Sequence, residues 1–170
     1  TFARNHVTSD GELGGGAIGT NGSVFVLATD FLENSSGTGP GGAIWNQHGN
    51  VDAIGSDFSS NAAGTQGGAV FAAGHVSVSD GTFSGNSASA RGGAIYAALD
   101  ISVTDGSFDE NTAGTTGGAL FAYSGDVTVD GGAYTDNSAG TDGGAIDLFS
   151  VGTVRVTGAT FTGNRAGDGN

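Results

Sequence analysis

The side chains that could do chemistry are few and scattered. Asp109-Glu110 is the one adjacent acidic pair of the chain, and carboxylates in pairs, or beside a base or an arginine, are what glycoside-cleaving chemistry needs. No basic residue falls next to it, and the matching places of other repeats hold Leu32-Glu33, Ser59-Ser60, Ser84-Gly85, Thr135-Asp136 and Thr162-Gly163. A solvated corner is the better reading. His6, His48 and His75 share neither a repeat position nor a ligand spacing, so no metal is assigned to them. Serine and threonine are abundant, yet no Ser/His/Asp constellation stands apart from ordinary turn residues. No catalytic residue is assigned, and an enzyme is not expected. Asp- and Asn-rich loops offer the oxygen ligands that calcium takes. The nonapeptide signature of calcium-binding β-rolls is absent, which leaves calcium unassigned and no cofactor named.

What repeats instead is a pattern of positions. Phe-x-x-Asn recurs at Phe2-Asn5, Phe31-Asn34, Phe58-Asn61, Phe83-Asn86, Phe108-Asn111 and Phe161-Asn164, with Tyr134-Asn137 as the one variant. Gly-Gly-Ala followed by Ile, Val or Leu recurs from Gly15, Gly41, Gly67, Gly92, Gly117 and Gly143. A third station, Val24/Val26, Val51/Ala53, Val76/Val78, Ile101/Val103, Val127/Val129 and Val154/Val156, alternates with polar residues. Period-two alternation separated by Gly, Asp, Asn, Ser and Thr predicts short strands joined by turns, and no station carries a 3.6-residue stripe.

A repeat of about 25 to 27 residues with three such strands cannot bury its own apolar face, but stacked copies can. The expected fold is therefore all-β, a right-handed single-stranded parallel β-helix or β-solenoid of about six coils with three short strands per coil. At the usual strand spacing, six intervals span roughly 30 Å. Inside it, Phe31, Phe58, Phe83, Phe108, Tyr134 and Phe161 should stack as one file, with the Tyr134 hydroxyl finding a partner or an edge. Asn34, Asn61, Asn86, Asn111, Asn137 and Asn164 should form a structural ladder, each tolerating the left-handed conformation of a corner. The Gly-Gly pair precedes a strand and lacks the lysine and helix of a nucleotide loop, so it reads as a bend or a close approach of coils. Asp80-Gly81, Asp105-Gly106 and Asp130-Gly131 read as corners.

Gly-Gly-Ala-[Ile/Val/Leu] paired with Phe-x-x-Asn resembles the repeats of chlamydial polymorphic outer-membrane proteins and related autotransporter passengers. The resemblance covers essentially the whole chain. It implies a secreted passenger displayed at a cell surface, often in adhesion, with a host-cell receptor among the expected partners. The chain departs from that pattern in having no cysteine and no lysine, in holding no β-barrel translocator, and in its first coil, where Asn5 stands ten residues before Gly15.

One column points to a binding face. If Ile18, Ile44, Val70, Ile95, Leu120 and Ile146 face the core, alternation sends Gly19, Trp45, Phe71, Tyr96, Phe121 and Asp147 outward. Trp45, Phe71, Tyr96 and Phe121, with Tyr123 and Phe149 nearby, would then be an exposed aromatic ladder for packing against another chain or for stacking on a polysaccharide.

Composition limits the partners. Seventeen acidic residues against four arginines give a net charge of -13, which excludes nucleic acid and anionic membranes as partners and suits a saline exterior. No apolar run approaches the roughly 20 residues of a membrane span. The chain is expected to form a single domain over 1-170, a segment of a longer solenoid or a fibre subunit that associates head to tail or laterally. The leading expectation is an extracellular structural or adhesive module. A polysaccharide-binding or polysaccharide-cleaving fragment comes second. An ice-binding surface built on Thr65, Ala90, Thr115 and Thr141 comes third.

Overall fold

The computed structural model describes residues 1-8 and 14-167. The five residues inside the long first-coil insertion thus lie outside the described part. The rest is a parallel β-solenoid in which every strand pairs with its equivalent one coil away, organised into four sheets of seven, six, five and six strands. There is no helix among the described residues.

The phenylalanine sheet contains Asp30–Leu32, Asp57–Ser59, Thr82–Ser84, Ser107–Asp109 and Ala133–Thr135 between end strands Phe2–Ala3 and Thr160–Thr162. Its register joins Phe31 to Phe58, Phe58 to Phe83, Phe83 to Phe108 and Phe108 to Tyr134. The valine sheet runs from Val24–Leu27 to Val154–Thr157, and the Gly-Gly-Ala sheet from Ile18–Thr20 to Ile146–Leu148. A fourth strand, of two residues, follows each later asparagine: Ala62–Ala63, Ser87–Ala88, Thr112–Ala113, Ser138–Ala139 and Arg165–Ala166. Sequence reasoning allowed three strands per coil and missed this one. Two residues of Ser, Thr or Ala carry no readable alternation, and only the buried alanine of each middle pair marks its inner face.

Period-two alternation is realised as expected. Val51, Ala53, Val76, Val78, Ile101, Val103, Val127 and Val129 enter one core with the phenylalanines and the column Ile44, Val70, Ile95 and Leu120. Consecutive rings of the file lie 4.6 to 5.1 Å apart with interplanar angles of 4 to 9°. That spacing is the strand separation itself, so the sheet register forces the stacking.

The asparagine ladder forms, but asparagine is not the residue that bends the chain. The left-handed conformation belongs to the residue before it: Glu33, Ser60, Gly85, Glu110, Asp136 and Gly163 all have positive φ. That bend aims the following amide inward, where each asparagine is buried or nearly so. Asn86 shows the pattern. Its side-chain nitrogen donates to the Phe58 carbonyl at 2.9 Å and to Asn111 Oδ1 at 2.9 Å, while its own Oδ1 accepts from the Asn61 backbone and side-chain nitrogens at 3.0 Å each. All four polar capacities used here are satisfied within the protein, which is what permits a fully buried amide.

The two glycines of each pair have different jobs. Gly92 has φ +65°, a conformation that favours glycine, whereas a methyl on Gly93 would overlap the Gly118 carbonyl oxygen of the next coil. Both readings of the pair therefore hold, one for each residue. At the Asp-Gly steps, Asp80 and Asp105 themselves adopt positive φ, and in the next coil the bend passes to Gly131.

The Tyr134 hydroxyl departs from expectation. It neither reaches an edge nor finds a partner among the described residues: it is buried and without a hydrogen bond to any of them. Tyr134→Phe should therefore stabilise the fold by about 1 kcal/mol or more, since an unsatisfied buried hydroxyl costs on that order. Burial also pushes its phenol pKa well above the ordinary value of 10. The chain has no lysine and no cysteine, so no ammonium or thiol side chain titrates in the alkaline range alongside the Tyr134 phenol. Above pH 10 the unfolded chain loses the Tyr134 proton while the folded chain keeps it. Stability due to this residue is full below pH 10 and falls as pH rises, by up to about 1.4 kcal/mol per unit per phenol. Tyr96, raised chiefly by burial, adds a decline of the same sign. Chemical denaturation at pH 9 and pH 11 should show a smaller loss for Tyr134→Phe than for the parent; equal losses would contradict the assignment.

Candidate functional site

The Gly-Gly-Ala sheet has the expected register: Gly19, Trp45, Phe71, Tyr96, Phe121 and Asp147 succeed one another in one column, adjacent to core-facing Ile44, Val70, Ile95 and Leu120. The aromatics thus leave the coil interior on the outer side. They are nevertheless not an open ladder. Trp45, Tyr96 and Phe121 are only 8 %, 7 % and 0 % exposed, and Phe71 is partly covered. The correction has a plain cause. Residues one coil apart stack: Phe71 on Tyr96 at 4.9 Å and Tyr96 on Phe121 at 5.2 Å, so the ring faces are spent on one another.

What is exposed lies at the corner that follows. Tyr123 and Phe149 are 44 % and 59 % exposed and stack on each other at 5.3 Å. A single cation joins this pair to the column: the Arg91 guanidinium carbon lies 5.2 Å from the Phe121 ring centre and 5.3 Å from that of Phe149. Arg91 starts one residue before its Gly-Gly bend, and its backbone bridges to Thr116, which bridges to Asp142. Its side chain therefore runs along the solenoid axis and reaches a ring two coils on. The Tyr96 phenol, raised chiefly by desolvation, is lowered by the field of Arg91 and raised by Tyr123. Sequence reasoning did not single out Arg91, because contacts across two coils leave no local signal.

A second missed feature is a column of acceptors just before the valine strands. Ser23 Oγ accepts the Asn50 N–H at 3.2 Å, Asn50 Oδ1 accepts the His75 N–H at 3.0 Å, Asp100 Oδ1 accepts the Asp126 N–H at 2.7 Å, and Asp126 Oδ1 accepts the Thr153 N–H at 2.7 Å. His75 Nδ1 lies 2.9 Å from Asp100 Oδ2. Three residue types, Ser, Asn and Asp, serve one role, so a search for identical letters could not find it. These exposed side chains fasten each coil to the next.

The remaining candidates are placed as follows. Glu110 is the left-handed residue of its corner and is exposed. Among the described residues no three His, Cys, Asp or Glu side chains gather as a metal site. The Thr115 and Thr141 hydroxyls donate to the carbonyls of Ala90 and Thr115, which commits part of the threonine column to the backbone. A separate apolar patch, Phe25, Leu27 and Ile54, lies on the outer face of the valine sheet.

Residues 80-98 and 105-123 match the family model of the Chlamydia polymorphic membrane protein repeat. Each matched segment contains one Phe-x-x-Asn and one Gly-Gly-Ala station, so the two stations belong to one structural unit: a corner that turns an amide inward, then a bend that lets coils touch. Both matched segments lie within the parallel β-solenoid. Searches of curated proteins and of solved structures give no match.

Proposed function

We propose that this chain, which carries polymorphic-membrane-protein repeats wound into a parallel β-solenoid, is a rigid surface-displayed module of adhesin type whose work is mechanical and recognitive rather than catalytic. The observation that carries the reading is the unbroken pair of internal files, aromatic and amide, running through every coil. Such a core resists bending, because shifting one coil breaks a stack and several hydrogen bonds at once. The acidic exterior keeps the rod soluble.

The test is immunolabelling of intact cells carrying the whole gene product. Labelling without permeabilisation is expected, and labelling only after permeabilisation would sink the surface reading. Release of reducing ends from a polysaccharide panel by the purified chain would overturn its non-catalytic part. The burial of Trp45, Tyr96 and Phe121 argues against using that column as an open stacking platform for glycans. Recognition then belongs to the corner of Tyr123, Phe149 and Arg91. Head-to-tail or lateral association with further copies is part of the proposal, checked by sedimentation equilibrium across protein concentration.

A further inference from the structure

Arg91 is unlike the other arginine whose surroundings matter most for comparison. Arg4 is held by Glu33 at 2.8 Å. The Arg91 guanidinium makes no hydrogen bond or ion pair among the described residues. It is nonetheless positioned, because two aromatic rings hold it. A cation over π clouds spends none of its N–H donors, so the planar fork remains available. Around it stand the exposed rings of Tyr123 and Phe149 and the phenol of Tyr96. A preorganised fork, an apolar surface and hydroxyl groups are three kinds of contact converging on one corner of an otherwise acidic molecule.

We propose that this corner binds a glycan bearing isolated hexuronate units. Arg91 takes the carboxylate through two parallel N–H···O bonds, and the exposed parts of Tyr123 and Phe149 cover the C–H face of the pyranose. The Tyr123 hydroxyl serves the sugar hydroxyls. Asp147 follows Phe121 in the outer column and Asp142 shares the Arg91 column two coils on. With the net charge of -13, these carboxylates disfavour a dense polyanion and leave room for single, spaced charges. The inference rests on the adhesive reading and names its partner class.

The test is calorimetric titration of the purified chain with a glucuronate-containing oligosaccharide and with its carboxyl-reduced, neutral counterpart at about physiological ionic strength. The acidic form should bind about tenfold or more tightly than the neutral one, and Arg91→Gln should abolish that preference, so that the two forms bind the variant alike. Arg91→Lys, which keeps the charge and loses the fork, should fall between. Equal binding of the two oligosaccharides, or no binding of either, overturns the proposal. The comparison of ligands on the parent chain stands even if Arg91→Gln fails to fold. Its failure is also separable from failure of surface display, since it uses purified protein and no cells.

Discussion

Gly93→Ala should cost about 4 kcal/mol or more, a loss reserved for substitutions that break a fold's basic geometry. A Cβ on Gly93 would overlap the Gly118 carbonyl oxygen and come within 2.6 Å of the Thr112 nitrogen. Both are backbone atoms of the next coil, so no rotamer relieves the clash. Nor can the coil recede freely, because the Gly93 N–H donates to the Gly117 carbonyl at 3.0 Å. Gly85→Ser is the control. Gly85 also has positive φ, but the nearest atom to an added Cβ is Ser60 Oγ at 3.7 Å, and Glu33, Ser60, Glu110 and Asp136 hold the same corner at φ between 49 and 55°. Its cost should be about 1 kcal/mol. Urea denaturation separates the two, and equal midpoints would mean that coil contact at the second glycine is not what requires it.

Asn86→Asp is the second large effect, and it carries a pH signature. The substitution keeps the shape of the side chain and removes its two donors. The Phe58 carbonyl and Asn111 Oδ1, each 2.9 Å from the amide nitrogen, would then face an acceptor. An ionised carboxylate there is buried and opposed by oxygens, so the variant should be about 3–5 kcal/mol less stable than the parent at neutral pH. Burial raises the pKa of the introduced carboxyl above its unfolded value of about 4. Stability is therefore most complete below about pH 4 and falls as pH rises through the folded pKa. Asn86→Ala removes these two hydrogen bonds and also the Oδ1 acceptor that serves Asn61, but introduces no titrating group, so its deficit should not vary with pH in that way. If the two variants behave alike from pH 3 to pH 7, the buried environment assigned to the ladder is wrong.

The outer aromatic column shows where reading letters stops. Alternation identified its direction correctly, because strand geometry sends successive side chains to opposite faces whatever they are. Exposure is another matter. Whether Phe121 meets water depends on what lies above and below it, and those neighbours are Tyr96 and an arginine that starts one coil earlier. Arg91 itself gave no local cue, since its contacts are set by the rise per coil rather than by distance along the chain. The acceptor column from Ser23 to Asp126 escaped for a related reason: position carries its role, and the residue types vary.

The asparagine corner makes the same division inside one motif. Spacing alone marked Asn34, Asn61, Asn86, Asn111, Asn137 and Asn164 as a ladder, because an amide can donate to and accept from a copy of itself one coil away. It could not say which neighbour bends, since Glu33, Ser60, Glu110 and Asp136 have no shared chemistry that favours positive φ. By itself, then, the order of residues determined a parallel solenoid, its aromatic and amide files and the two glycine stations, all of which follow from periodicity and steric limits that act locally. The fourth strand, the orphaned Tyr134 hydroxyl, the closing of the aromatic column and the freeing of Arg91 were decided only when coils stacked, because each depends on atoms brought together from separate turns of the chain.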